Sequence, residues 1–227
     1  MKKQILIAAA VLFSAGMLFI TGCKKDDTAA PVVTLVGNSS LSFSLNTAAS
    51  AATDPGATAT DEKDGTLTSS IKSDWSTTNP NLAKAGTYTI KYTVSDAAGN
   101  EGSTTRTVYV MHTSSTTAGS FAVTDVVGAS TTTYTEVITA AATSTVRLNT
   151  TRFGNYDNTI VYFDLSGATG TTVTVPSQTV TNSGNPAATR VFSGTGSVSA
   201  DGKTITISYT ETTNGTTANG TGTYVKP

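Results

Sequence analysis

The sharpest alternation of apolar and polar positions runs through residues 86–96, Gly-Thr-Tyr-Thr-Ile-Lys-Tyr-Thr-Val-Ser-Asp. Tyr88, Ile90, Tyr92 and Val94 fall on one face, and Thr87, Thr89, Lys91 and Thr93 on the other, because successive side chains of a strand point to opposite sides. One apolar and one polar face predict a strand in a sheet packed on one side only. Ala98-Gly99-Asn100 then turns the chain towards residues 104–110, which read as an antiparallel partner. Residues 32–36 and 41–45 predict two further short strands upstream. The second half of the chain carries eight strand candidates, at 121–127, 132–140, 144–150, 159–165, 171–175, 190–193, 203–211 and 221–226. Asp201-Gly202, between Ala200 and Lys203, predicts a two-residue hairpin turn with positive φ, and Asn214-Gly215 and Asn219-Gly220 interrupt the last strands. After Cys23 no window places apolar residues at helical spacing over three turns. The chain therefore reads as all-β, a small sandwich followed by an antiparallel meander that closes into a small barrel or half-barrel.

Between the halves, His112-Thr113-Ser114-Ser115-Thr116-Thr117-Ala118 has no period and reads as a short flexible Ser/Thr linker. The expected divisions are thus 31–111 for the sandwich, 112–118 for the linker and 119–227 for the barrel-like part.

The first residues follow a different pattern. Lys2 and Lys3 precede an uncharged, largely apolar run from Ile5 to Ile20, shorter than the roughly 20 residues a spanning helix needs. A basic start, an apolar middle and small residues at the end describe a secretory signal over residues 1–22. Ile20-Thr21-Gly22-Cys23 resembles the lipobox of bacterial lipoproteins. That resemblance implies cleavage between Gly22 and Cys23, a diacylglycerol and a further acyl chain such as palmitate on Cys23, and attachment to the outer membrane. Two or more acyl chains hold a protein stably, at about 0.8 kcal/mol per buried methylene. The run Lys24-Lys25-Asp26-Asp27, within a tether over 23–30, is similar to the charged tethers of Bacteroidetes lipoproteins, which implies display at the cell surface. Read from its residues alone, it is a solvated spacer.

Composition narrows the function classes. Charged residues make up 13% of the chain, against about 25% in an average domain; Thr, Ser, Gly and Ala take their place. Loss of Lys2 and Lys3 with the signal takes the formal net charge from −1 to −3, and Lys and Arg form no cluster, so nucleic acid is not an expected partner. The single cysteine leaves no disulfide to form, and the single histidine, His112, leaves no Ser-His-Asp triad or histidine metal site in either half.

Several ordered blocks carry a second resemblance. Pro31-Val32-Val33-Thr34-Leu35, the segment from Asp54-Pro55-Gly56 to Asp61, Asp64-Gly65, and Gly86-Thr87-Tyr88 through Asp96 to Asn100 resemble the bacterial surface-protein Ig-like domain, also found in a pesticidal crystal protein. It implies a spacer or adhesion module rather than catalysis. The polar stretch from Asp74-Trp75-Ser76 to Lys84 departs from that pattern. The end of the chain, from Gly194-Thr195-Gly196 to Lys226, resembles the lipocalin-like domains of Bacteroidetes lipoproteins.

Candidate chemistry is sparse. Asp61, Asp64, Asp96 and Asn100 supply oxygen ligands at turns and point to calcium, although the same residues begin turns by bonding their own backbone. Trp75 suits either a sugar-stacking platform or the sandwich core. Glu136 falls in phase with Tyr134, Ile138 and Ala140 on an apolar face. Arg152, in phase with Val146 and Leu148, is its expected partner in the barrel mouth, unless a bulge turns Glu136 outward. Glu136, Asp157, Asp164 and Glu211 would be the acids of a carboxylate hydrolase. The expected function is a non-enzymatic, lipid-anchored adhesion, spacer or binding module with no cofactor beyond its lipid and calcium. Its partners are the membrane and an extracellular or periplasmic ligand or protein. The alternatives are a small-molecule or glycan binder with its ligand in the barrel mouth, and a carboxylate hydrolase.

Overall fold

In the computed structural model, which describes residues 26–156, 159–181 and 189–227, nearly all regular structure is strand. Cys23, Gly22 and Asp157 lie outside the described residues.

The first seven strands form two facing sheets. One joins β1 (Val32–Leu35), β3 (Ala57–Asp61) and β4 (Gly65–Thr66); the other joins β2 (Ser40–Ser44), β7 (Glu101–Met111), β6 (Gly86–Ser95) and β5 (Lys72–Ser73). The β6–β7 hairpin pairs from Gly86↔Val110 to Ser95↔Glu101, and β2 runs parallel to β7 along its other edge. The alternation of β6 sets its burial: Ile90, Tyr92 and Val94 are buried, Tyr88 half-buried, and Thr87, Thr89 and Lys91 exposed. Ile90, Tyr92 and Val108 make the centre of the sandwich core, with Phe43 and Trp75 packed against it.

The remaining strands close into an eight-stranded barrel among the described residues: β8 (Gly119–Val127), β9 (Ser130–Ala140), β10 (Arg147–Thr150), β11 (Val161–Ser166), β12 (Thr172–Thr181), β13 (Thr189–Val198), β14 (Thr204–Thr213) and β15 (Thr216–Val225). Each pairs antiparallel with the next. The seam is β15 on β8, from Gly220↔Val127 to Val225↔Ala122. Closure removes the exposed edges that an open sheet would leave. Inward side chains at alternate positions fill it, Phe121, Ile138, Leu148, Phe163, Val173, Phe192, Ile205 and Tyr224 among them.

Three details depart from the sequence expectation. Strands β12 and β13 run longer than 171–175 and 190–193. Pro176 lacks an N–H, and the register of β12 against β13 shifts between Val175 and Gln178. The Gln178 side chain then pairs with the Tyr162 backbone in place of a strand, accepting from its N–H (3.0 Å) and donating to its carbonyl (2.7 Å). The β13–β14 connection is wider than a two-residue turn. Its ladder ends at Val198↔Ile205, and Gly202 alone takes positive φ, because Ser199 Oγ and Asp201 Oδ1 bond the backbone of Thr204 and Lys203. Last, the 112–118 run contains a regular element. Ser114–Thr117 forms one helical turn, α1, capped by Thr113 with its side chain and backbone both bonded to Thr116, and Ser114 and Thr117 are buried.

Candidate functional site

At the barrel end opposite α1, inward-facing polar side chains gather. Asp125 on β8, Tyr134 and Glu136 on β9, Tyr209 on β14 and Tyr224 on β15 are all buried. The Tyr209 hydroxyl lies 2.9 Å from both carboxylate oxygens of Asp125. The Tyr209 ring can lie flat in the wall because β15 offers Gly220 directly opposite; a Cβ there would stand 2.3 Å from the ring. Burial pushes the Asp125 carboxyl up from its ordinary value, against the pull of the Tyr209 hydrogen bond. Burial, helped by the Asp125 charge, also raises the Tyr209 hydroxyl. The Tyr134 hydroxyl rises to about 12, chiefly through burial.

Glu136 points inward, so no bulge turns it out. Its partner is backbone: Oε1 accepts the Thr151 N–H at 2.7 Å. The Arg152 guanidinium, whose charge also favours the Glu136 carboxylate, stacks on Tyr134 (4.7 Å) and donates to Asn155 Oδ1 at 2.8 and 3.0 Å. Burial raises the Glu136 carboxyl, opposed by the Thr151 and Arg152 amides. The Asn155 N–H donates to the Tyr134 hydroxyl (3.2 Å), so β9 holds the loop after β10 at two points. That loop drives Phe153 into the barrel, 4.9 Å from the Tyr209 ring and 5.2 Å from Phe192. Glu136, Tyr134 and Asp125 thus fasten a plug of aromatic side chains.

The other drafted acids sit apart. Asp164 forms a two-pronged pair with Arg147, both bonds 2.8 Å, and Arg147 lies over the Tyr162 ring. Glu211 pairs with Arg190 at 2.5 Å, and burial still raises its carboxyl.

In the sandwich, the carboxylates of Asp27, Asp64 and Asp96 come within 4.8 Å of one another, close enough to share a cation. Asp61 is not in this group; its Oδ1 caps the amides of Lys63 and Asp64. Asn100 acts as a bracket, donating from Nδ2 to Asp96 Oδ2 (2.7 Å) and to the Asp27 carbonyl (3.1 Å). Its bonds hold the Asp96 carboxyl below the usual range. Trp75 is partly buried, edge-on to Phe43 with centroids 6.2 Å apart, and one side of it lines a cleft of about 270 Å³ with Ala49, Ala52, Pro80 and Leu82.

Two buried charges escaped the reading of the sequence. Arg106 is fully buried on β7. It donates through Nη1 to the Asn38 carbonyl, through Nη2 to Val36 (2.8 Å) and Gly56 (2.9 Å), and through Nε to the Tyr92 hydroxyl (3.2 Å). Tyr92 donates to Asp54 at 2.6 Å, and burial together with that bond raises its hydroxyl to about 12. The signal was phase: Arg106 shares the face of Val108 and Val110. Asp125 likewise shares the inward face of Phe121 and Val123.

A two-sheet sandwich carrying a closed meander barrel defines the architecture. Residues 34–110 match the family described as bacterial surface protein, Ig-like domain, so that segment is similar to Ig-like modules of that type. Among solved structures, a lipoprotein of Bacteroides thetaiotaomicron is similar at 16% identity and a TM-score of 0.32, over 85% of this chain and 98% of that one. A Clostridium perfringens ZmpB structure, holding a carbohydrate-binding module in complex with GlcNAc, is similar at 14% identity and a TM-score of 0.27, over 86% of this chain and 44% of that one. No curated protein sequence matches this chain.

Proposed function

We propose that the chain is a non-enzymatic cell-envelope lipoprotein, anchored through acyl chains on Cys23, in which the Ig-like module is a stalk that presents the barrel to a partner outside the membrane. One observation carries this reading: the tether and the barrel attach at opposite ends of the β6–β7 hairpin. At the turn end, Asn100 holds the Asp27 carbonyl. At the other end, Ala85 N–H donates to the Ala200 carbonyl of the barrel at 2.7 Å. Ten residues of β6, at about 3.3 Å each, separate the two by roughly 30 Å. The rim of the barrel that faces away from the stalk carries the Phe153 loop, Arg152 on Tyr134 and Arg190 on Tyr156 (4.2 Å), and is the surface offered for binding. A cation shared by Asp27, Asp64 and Asp96 would tie the tether to the stalk with the weak affinity of extracellular calcium sites.

Fractionation tests the anchor. The native protein is expected to stay with outer-membrane vesicles through salt and carbonate washes, and the Cys23→Ala variant to leave them. A Cys23→Ala protein that remains after its signal is removed overturns the lipid anchor. Protease treatment of intact cells then separates surface from periplasmic display. For the cation, the melting temperature in calcium at about 5 mM, chosen to exceed such weak dissociation constants, should exceed that in chelator. An equal value, or a rise retained by Asp64→Asn, removes the site.

A further inference from the structure

The chain has a single histidine, and the fold places it between the two modules. His112 follows β7 directly and is 2% exposed. Its backbone N–H donates to the Thr169 carbonyl in the β11–β12 turn (2.9 Å), and its Nε2 lies 3.0 Å from the Ser199 carbonyl in the β13–β14 turn. A carbonyl only accepts, so Nε2 carries the ring proton and Nδ1 is the bare nitrogen of a neutral imidazole. Nδ1 is buried and has no hydrogen-bond partner among the described residues.

Nδ1 is shut off from solvent, and Gly202 packs beside the ring. Gly202 presents only its Cα to the ring: a Cβ there would stand 3.1 Å from Cε1 and 3.5 Å from Nδ1 of His112, and 3.2 Å from Leu45 Cδ2. A Cβ on Gly170 would meet the His112 carbonyl at 2.5 Å. Leu45 belongs to the sandwich and Gly202 to the barrel, so the imidazole fills the joint between them. The charged groups that act on the ring are Lys226, at the end of β15, and Asp201, in the β13–β14 turn; Leu45, Ser199, Gly202, Thr169 and Gly170 bring none.

We infer that His112 is a pH-responsive latch that holds the Ig-like module against the barrel while its ring is neutral and releases it on protonation. A proton on Nδ1 would create a buried N–H against a glycine Cα with no acceptor, beside a charge that water cannot reach. The folded joint therefore prefers the neutral ring. Burial sets the His112 pKa below its ordinary value, with the Ser199 bond and Asp201 opposing and Lys226 assisting. A depressed histidine contributes stability that is present above its unfolded value, about 6.5, and is lost as pH falls through the folded value. Acidification therefore loosens the joint: the Ala85–Ala200 and His112–Thr169 bonds open, and the barrel swings relative to the stalk without either module unfolding.

Being the only histidine, His112 gives one assignable ring resonance, which can be followed by NMR in the full chain from about pH 8 to 5. The expected midpoint lies below the ordinary value, and protection of the Ala85 and His112 amides against exchange falls at least tenfold at that same midpoint. Protection of Ile207, inside the barrel, should stay constant. In His112→Gln, whose side-chain amide still donates to Ser199 but does not titrate, protection of Ala85 should be independent of pH. An ordinary midpoint with unchanged protection of Ala85 overturns the latch, and so does an unchanged pH response in His112→Gln. If that variant does not fold, coincidence of the wild-type midpoints decides; separate midpoints reject the proposal.

Discussion

Single side chains in this protein act mostly as ties between segments distant in sequence. Arg106 reaches from β7 to the carbonyls of Val36, Asn38 and Gly56, and with Tyr92 and Asp54 it forms a closed polar network in an apolar core. Removing one partner of a buried charged network leaves the others without compensation. Arg106→Ala should therefore cost about 3–5 kcal/mol in urea unfolding, and more than Lys91→Ala, whose exposed pair with Glu101 at 3.7 Å contributes at most about 1 kcal/mol. In the barrel, Asp125, Glu136 and Glu211 all have carboxyls raised by burial. A raised carboxyl contributes stability below its unfolded value and loses it as pH rises through the folded value. The barrel should thus unfold at a higher urea concentration near about pH 5 than near about pH 8, the opposite sense to the His112 joint. Asp125→Asn, which keeps an acceptor for Tyr209, should flatten that slope; an unchanged slope would show that Asp125 does not contribute to it.

At the scale of the element, the β14–β15 hairpin depends on an aromatic ring lying over a glycine. Tyr209 is paired with Gly220, and the ring occupies the space a side chain would take. Gly220→Ala should displace Tyr209 from Asp125 and cost about 1–3 kcal/mol as an overpacking change. By contrast, Gly215→Ala, in the turn, meets no atom within 4 Å but sits at φ +80°; its cost is of backbone origin, of order 1 kcal/mol or more. Loss of near-ultraviolet tyrosine dichroism in the first variant and not the second separates packing from backbone strain. Gln178 and Pro176 show the same logic in β12, where a side-chain amide replaces a ladder bond that the strand cannot make.

In the whole molecule, the sandwich and barrel keep separate apolar cores, one around Ile90 and Val108 and one around Phe163 and Phe192. Between them lie a small apolar cluster of the sandwich, Leu45, Ala85 and Val110, and then the hydrogen bonds and the His112 ring of the joint. Trp75, the one tryptophan, sits in the sandwich, so its fluorescence reports that module alone. Ile90→Ala should lower the stability seen by Trp75 by about 2–5 kcal/mol, while far-ultraviolet dichroism retains a transition for the barrel at its original midpoint. A single transition, shifted equally by both probes, would mean that the joint couples the two modules into one unit.

The sequence by itself determined the local features: the all-β class, eight candidate strands in the second half, the shared phase of Tyr134, Glu136 and Ile138, and the hairpin from Gly86 onward. These rest on alternation with a period of two, which is read between neighbours in the chain. The blocks that match an Ig-like module were legible for the same reason, being short turn and strand patterns in a set order. The tertiary structure alone decided the seam of β15 on β8, which turns a half-barrel into a closed one. It also decided that the Thr151 amide hydrogen-bonds Glu136, and that Gly194 and Gly196 continue a strand instead of ending one. The polar run at 112–118 shows the physical reason most plainly. Its residues carry no period, and what orders them is the Thr113 cap, the Thr145 carbonyl that accepts the Ser114 N–H (2.7 Å) and the turns that receive His112. The cap is local, but Thr145, Thr169 and Ser199 lie 30 residues and more away along the chain, and only folding brings them within hydrogen-bond reach.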